Sequence, residues 1–309
     1  MSTVSVEHLS KSYGATTAVE DVSFVVESGE VFALLGPNGA GKTTTIEILE
    51  GFRSRDRGEV SVLGFDPGDR LRARELRERM GVVLQELAVE PFLSVRQALA
   101  RNAGYYPNPR SVDEVLQLIG LEQKASAKVK SLSGGQQRRL DLGLGIVGNP
   151  ELMFLDEPTT GFDPSARRGA WDLVRSLTRG GTTVILTTHY MDEAEALADR
   201  VAVINAGTIV AEGTPESLGG RDVGEASIRF VLPTGVAVSD MPVALTSVHG
   251  ELGEIRTDRE IEVLAALTTW ALEGGHELRS LTVERSTLED VYLRLTGYQA
   301  ASATEAVVT

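Results

Sequence analysis

Gly36-Pro37-Asn38-Gly39-Ala40-Gly41-Lys42-Thr43 brings glycines, one lysine and one hydroxyl together in the order that a polyphosphate cradle needs. Glycines let successive backbone N–H groups converge on one anion; Lys42 would reach the terminal phosphates, and the Thr43 hydroxyl suits Mg2+. From average composition the bare pattern arises by chance in roughly one such chain in a hundred. Asp156 and Glu157 close the apolar run Leu152-Met153-Phe154-Leu155, so two carboxylates sit at a strand's C-terminal end, where α/β proteins bind ligands. There Asp156 would hold Mg2+ through its shell and Glu157 would polarise an attacking water, a general-base role worth about 10²–10⁴ in rate. Taken alone, such a pair is more often a solvated strand end or a helix cap. Leu132-Ser133-Gly134-Gly135-Gln136 places a capping serine ahead of glycines that leave amides free for an anion, and capping by itself would explain it.

The elements around these residues give them their weight. Val31 to Leu35 is a continuous apolar run ending in glycine, the pattern of a strand buried on both faces, and Thr43 to Glu50 is predicted helical. Before it, Val4, Val6 and Leu9, then Val22, Phe24 and Val26, read as short alternating strands of an antiparallel region. From about Gln85 to Ser131 helical spacing dominates, around a Tyr-Pro-Asn-Pro break. Leu152–Leu155 and Val184-Ile185-Leu186 return to buried-strand character, joined by a helix around Ala166 to Leu177. Such alternation predicts an α/β fold with a parallel, doubly wound sheet.

After Gly219-Gly220 the signals become short strands such as Ser227–Val231, a helix over Ile261 to Leu272, a strand over Leu278 to Val283 and a helical face of Leu288, Val291 and Leu295. The expected division is a large domain over 1–219 with a helical subdomain over about 86–135, a small α+β domain over 220–297, and a disordered tail over 298–309.

The chain has 309 residues, 42% of them apolar and 24% charged, which allows a substantial core. A formal charge of −14 argues against nonspecific nucleic-acid binding, which depends on Lys and Arg displacing phosphate counterions. Without cysteine there is neither a disulfide nor a thiolate metal site. No run of about 18 uncharged apolar residues offers a membrane span, and Met1 to Ser10 does not read as a signal peptide, so any membrane role is expected through a partner.

With Leu132–Gln136 lying between the other two along the chain, the three motifs resemble the ATP-binding-cassette (ABC) ATPases, whose signature is Leu-Ser-Gly-Gly-Gln. The resemblance covers about residues 4 to 215 and implies the P-loop ATPase fold, with an antiparallel β subdomain and a helical subdomain. It implies that Gly36 through Thr43, with Thr44, bind ATP, and that Thr43, Gln85 and Asp156 hold Mg2+. Lys42, Gln85, Glu157 and His189 would be catalytic, with Gln85 linking Mg2+ to the helical subdomain and His189 contacting the γ-phosphate. As a lone strand-end residue His189 would be structural, and Tyr13, the implied adenine platform, would be surface packing. Asp163 would lie in the loop that communicates across a dimer. The family arrangement is head to tail, with ATP between Gly36–Thr43 of one copy and Ser133, Gly134, Gly135 and Gln136 of the other.

Arg138-Arg139-Leu140-Asp141-Leu142, Thr159 to Pro164 and Ser286 to Leu293 are similar to the daunorubicin-resistance type of exporter ATPase, which serves a separately encoded permease. That implies a homodimer or heterodimer of ATPase subunits, docked peripherally on the cytoplasmic face of the membrane against an integral permease, with a drug-like or lipid-like cargo. Ala125 to Lys130 departs from the fused multidrug exporters, and Phe162 stands where leucine is more usual. Residues after about Gly220 are expected to tune dimerisation or docking rather than catalysis. A cassette ATPase working on the ribosome or DNA is the alternative; a single cassette, the lack of long heptads and the acidic balance oppose it.

Overall fold

A computed structural model describes residues 2–83, 89–218, 226–285 and 287–296. The chain divides into two units, Met1–Pro215 and Glu216–Thr309.

The first unit opens with β1 (Ser2–Tyr13) and β2 (Thr16–Glu27), joined at Gly14 and paired antiparallel with β4 (Arg57–Val62) in the order β2-β1-β4. Their alternating Val4, Val6, Val22, Phe24 and Val26 are buried on one face. Each of the first two strands runs 12 residues, longer than the sequence pattern predicts. The cause is local: His8 and Asp21 take positive φ of 53° and 54°, shifting the register without ending the ladder, and His8 Nδ1 lies 2.6 Å from Asp21 Oδ1.

β3 (Val31–Leu35) is buried at every position and sits inside a second sheet of order β5-β6-β7-β3-β8-β9. Its other members are β5 (Met80–Val83), β6 (Leu152–Asp156), β7 (Thr183–Thr188), β8 (Arg200–Asn205) and β9 (Thr208–Gly213). All neighbours are parallel except β8 and β9. The expected doubly wound sheet is present, with one antiparallel edge strand added. Phe24 and Phe32 stack at 5.0 Å, tying the two sheets into a core that includes Ile46, Ile48 and Leu49 of α1 (Lys42–Leu49).

The remaining helices are α2 (Ala73–Glu78), α3 (Val95–Ala103), α4 (Val112–Leu118), α5 (Gly134–Ile146), α6 (Pro164–Arg179) and α7 (Met191–Leu197). α3 and α5 each start with a capping box, Ser94 with Gln97 and Ser133 with Gln136. α5 is pressed onto β5: a methyl group on Gly81 would lie 2.3 Å from the Gly145 carbonyl oxygen, so two backbones meet where only glycine fits.

In the second unit β10 (Ala226–Val231), β11 (Ser247–His249), β12 (Leu252–Thr257) and β13 (Arg279–Arg285) form an antiparallel sheet of order β11-β12-β10-β13. Ile228, Phe230 and Ile255 pack with Leu267 of α8 (Glu260–Gly274), and α9 (Leu288–Thr296) closes the described chain. On the other strand face Glu254 accepts from Ser227 and Ser247 at 2.7 and 2.9 Å, and these bonds hold its carboxyl down at about 2. Among the described residues no helix is long and apolar enough to cross a membrane.

Candidate active site

Because β6, β7 and β3 are neighbours, the loops that leave their C-terminal ends emerge side by side. Register fixes the alignment: Leu35 pairs with Thr188, and Thr187 with Asp156. The loop after β3 is Gly36–Gly41. A methyl group on Gly36 would meet Ile204 O of β8 at 2.4 Å, and one on Gly41, which has φ of 107°, would meet Ala18 O of β2 at 2.4 Å. The loop therefore lies between the two sheets, with Pro37 half-buried and Asn38 and Gly39 exposed.

Lys42 is buried, and its ammonium group donates to the carbonyls of Gly36 at 2.6 Å and Pro37 at 3.1 Å. Burial pushes its pKa down, while Glu157 and Asp156 pull it up, so the cation faces both carboxylates. Thr43 is exposed, Thr44 half-buried, and Ala40 buried beneath the loop. Amides at a helix start, a buried cation facing Glu157 and Asp156, and the exposed Thr43 hydroxyl fit a triphosphate with Mg2+. Among the described residues no group of three or more His, Asp or Glu could hold a metal ion.

At the end of β6, Asp156 Oδ1 accepts a short hydrogen bond from Thr187 Oγ1. Glu157 follows with a positive φ of 47°, held by its own N–H donating to Thr187 O at 3.0 Å. Its carboxylate accepts from Thr160 Oγ1 at 3.3 Å and lies 3.1 Å from His189 Nδ1. An ionised carboxylate only accepts, so the ring donates from Nδ1 and Nε2 remains for another partner. His189 also contacts the Tyr190 ring at 4.1 Å, and Tyr190 lies 4.7 Å from the Arg167 guanidinium.

Ser133, Gly134, Gly135 and Gln136 lead into α5, the first two exposed and the last two half-buried, and Ser133 and Gln136 bond each other rather than the Lys42 loop. Asp163 caps α6, accepting from Ala166 N at 2.8 Å. Tyr13, 42% exposed, ends β1 with Lys11 and Arg53 at 5.6 and 5.5 Å from its ring. Gln85 lies outside the described residues.

Sequence reasoning missed three buried polar groups around this centre. Thr187 had no signal beyond a hydroxyl in a strand. Glu193 of α7 is fully buried, accepts from Trp171 Nε1 at 3.2 Å and faces Thr159 and Thr188; burial pushes its carboxyl up. Glu50, at the end of α1, is pushed up to about 8 by burial, then by Asp156 and Glu47. A glutamate inside an otherwise apolar helix end was its only trace.

Residues 19–160 match the family described as ABC transporter, and residues 226–287 match the C-terminal domain of ABC transporter domain-containing proteins. The chain is 38% identical over 305 residues to a daunorubicin resistance ATP-binding protein of Streptomyces coeruleorubidus, covering 95% of this chain and 96% of that protein. It is 40% identical over 302 residues to Nod factor export ATP-binding protein I of Paraburkholderia xenovorans (strain LB400), covering 94% and 96%. A dimeric post-hydrolysis cassette bound to ADP and Pi shares the fold, with a TM-score of 0.62 at 24% identity over 68% of this chain and 98% of that one. Together with the converging phosphate loop, carboxylates and histidine, these matches make the chain a member of the ATP-binding-cassette transporter family, an ATPase subunit of the ABC-2-type exporter branch.

Proposed function

We propose that two copies of this chain, or this chain and a related one, close over Mg·ATP and drive export of a drug-like or lipid-like cargo through a separate permease. The carrying observation is that Asp156, Glu157 and His189 lie at the ends of adjacent β6 and β7, facing Lys42 at the start of α1 beyond the neighbouring β3, with Glu157 and His189 3.1 Å apart. Mg2+ would supply charge neutralisation at the phosphates, held by Thr43 and Asp156 with Gln85. The loop amides and Lys42 orient the triphosphate, and Tyr13 stacks on adenine. Glu157 accepts the proton of the water whose oxygen attacks the terminal phosphorus, and ADP leaves with the electron pair of the broken P–O bond. His189, fixed by Glu157 through Nδ1, would contact the γ-phosphate, donating from Nε2 only when the ring carries both protons.

Ser133 and Gly134 are exposed and Ser133 is bonded to Gln136, which supports this turn serving the nucleotide of a second copy; Asp163 would lie along that same contact. The dimeric relative supports this assembly, and the names of the two curated relatives support export. The subunit would dock peripherally on the cytoplasmic face, with residues after about Gly220 tuning dimerisation or docking. Glu157→Gln should lower turnover about 10²–10⁴-fold and hold an ATP-bound dimer on a sizing column. A variant that stays monomeric with ATP, or that turns over like the wild type, refutes the proposal.

A further inference from the structure

Arg138 lies one helical turn past Gly134 on α5, and its guanidinium is directed at the backbone of the catalytic loop. Nη2 donates to the carbonyls of Asp156 at 3.1 Å and Glu157 at 3.0 Å, and Nε donates to Pro158 O at 3.1 Å. Nη1 donates to Asp141 Oδ2 at 2.8 Å, one turn further along the same helix. Both side chains of this pair are only 11% exposed. Three consecutive carbonyls converging on one planar cation is a geometry that arginine's fixed fork provides and lysine's single ammonium does not.

The clamp also has a firm base. Gly145, two turns beyond Arg138, lies against β5 with backbone meeting backbone, and Gly143 packs against the side chain of Ile119, where a methyl group would lie 2.7 Å from Cδ1. α5 is thus a rod fixed at its far end, carrying Arg138 a turn past its start and the Ser133–Gln136 turn, exposed at Ser133 and Gly134, at its front. At 1.5 Å rise per residue, Arg138 stands about 6 Å behind Gly134, so a shift of the front turn is carried directly to the carbonyls on either side of the base.

We infer that Arg138, braced by Asp141, is a positioning residue that ties the placement of this subunit's Glu157 to the nucleotide contacted by its own signature turn, which in the dimer belongs to the partner's site. This rests on the shared-nucleotide reading above. It makes each ATP a reporter to the opposite base: the turn that grips one nucleotide aligns the carboxylate that takes the proton of the water attacking the other. Asp141 keeps the guanidinium from rotating away, and its own burial pushes its carboxyl up to about 6 against the pull of Arg138.

The test uses the full chain. Arg138→Lys keeps a charge beside Asp141 but cannot reach three carbonyls, and should lower kcat at least 10-fold while the KM for ATP stays within twofold. Should that variant fold poorly, Arg138→Met with Asp141→Leu replaces the buried pair by apolar groups of similar volume, an exchange that usually preserves stability; the same loss of kcat is expected at an unchanged unfolding midpoint. Placed in a Glu157→Gln background, either change should leave ATP-driven dimerisation intact. Wild-type kcat in a folded variant overturns the inference while leaving the shared-site reading standing. A Glu157→Gln control that remains monomeric overturns the shared-site reading and this coupling with it.

Discussion

Replacing Thr187 by valine removes one hydroxyl and almost no volume, which makes it a sharp probe of how Asp156 is held. That hydroxyl donates to Asp156 Oδ1 and also accepts, at 3.3 Å, from the N–H of Glu157, and the residue is fully buried, so no water replaces it. A hydrogen bond to a charged group contributes about 1.5–3 kcal/mol. Glu157 N–H keeps its bond to Thr187 O at 3.0 Å, so the loss falls on the Asp156 carboxylate. If Asp156 loses that much restraint in the transition state, at about 1.36 kcal/mol per decade of rate, kcat should fall roughly 10- to 150-fold. The Mg2+ concentration for half-maximal rate should rise in parallel, whereas ATP binding without metal should not change. Steady-state phosphate release across a Mg2+ titration reads both quantities. A kcat within twofold of wild type with an unmoved Mg2+ dependence would show that Asp156 needs no help from Thr187.

Two further outcomes are expected. Glu50 is raised from 4.5 to about 8, so the folded chain keeps a proton that the unfolded chain loses; native stability is fully present below pH 4.5 and falls as pH climbs toward 8, by a ceiling of about 5 kcal/mol. Glu50→Gln should therefore be the more stable protein at pH 8 and equal to wild type near pH 4.5 in metal-free urea unfolding, and parallel curves at both pH values would refute this. Gly36→Ala puts a methyl group 2.4 Å from Ile204 O, a backbone atom that cannot swing aside, so nucleotide affinity should drop at least about 10-fold with a stability loss of about 1–3 kcal/mol; wild-type affinity by fluorescent-nucleotide titration would contradict the packing.

The sheet was legible because its strands are written without interruption: Val31–Leu35 and Leu152–Leu155 are apolar at every position, and only a doubly covered strand tolerates that. The three motifs were legible because each is local, a few consecutive residues whose chemistry does not depend on the rest of the chain. What stayed hidden was whatever crosses long stretches of sequence. Thr187 meets Asp156 across 31 residues and Arg138 meets Pro158 across 20, and no spacing rule links them. β1 and β2 looked short because His8 and Asp21 interrupt the alternation, although a left-handed residue bends a ladder more readily than it ends one.

The backbone of Glu157 has a consequence for idle subunits. A residue with a Cβ held at a φ of 47° stores about 1–3 kcal/mol that its neighbours must hold down. Were those neighbours to slacken, the peptide would relax toward an ordinary conformation and swing the carboxylate out of line. The resting tendency of such an engine is to stall rather than to leak: a subunit whose surroundings are incompletely assembled forfeits its attack on ATP, and fuel is spared until the machine is whole.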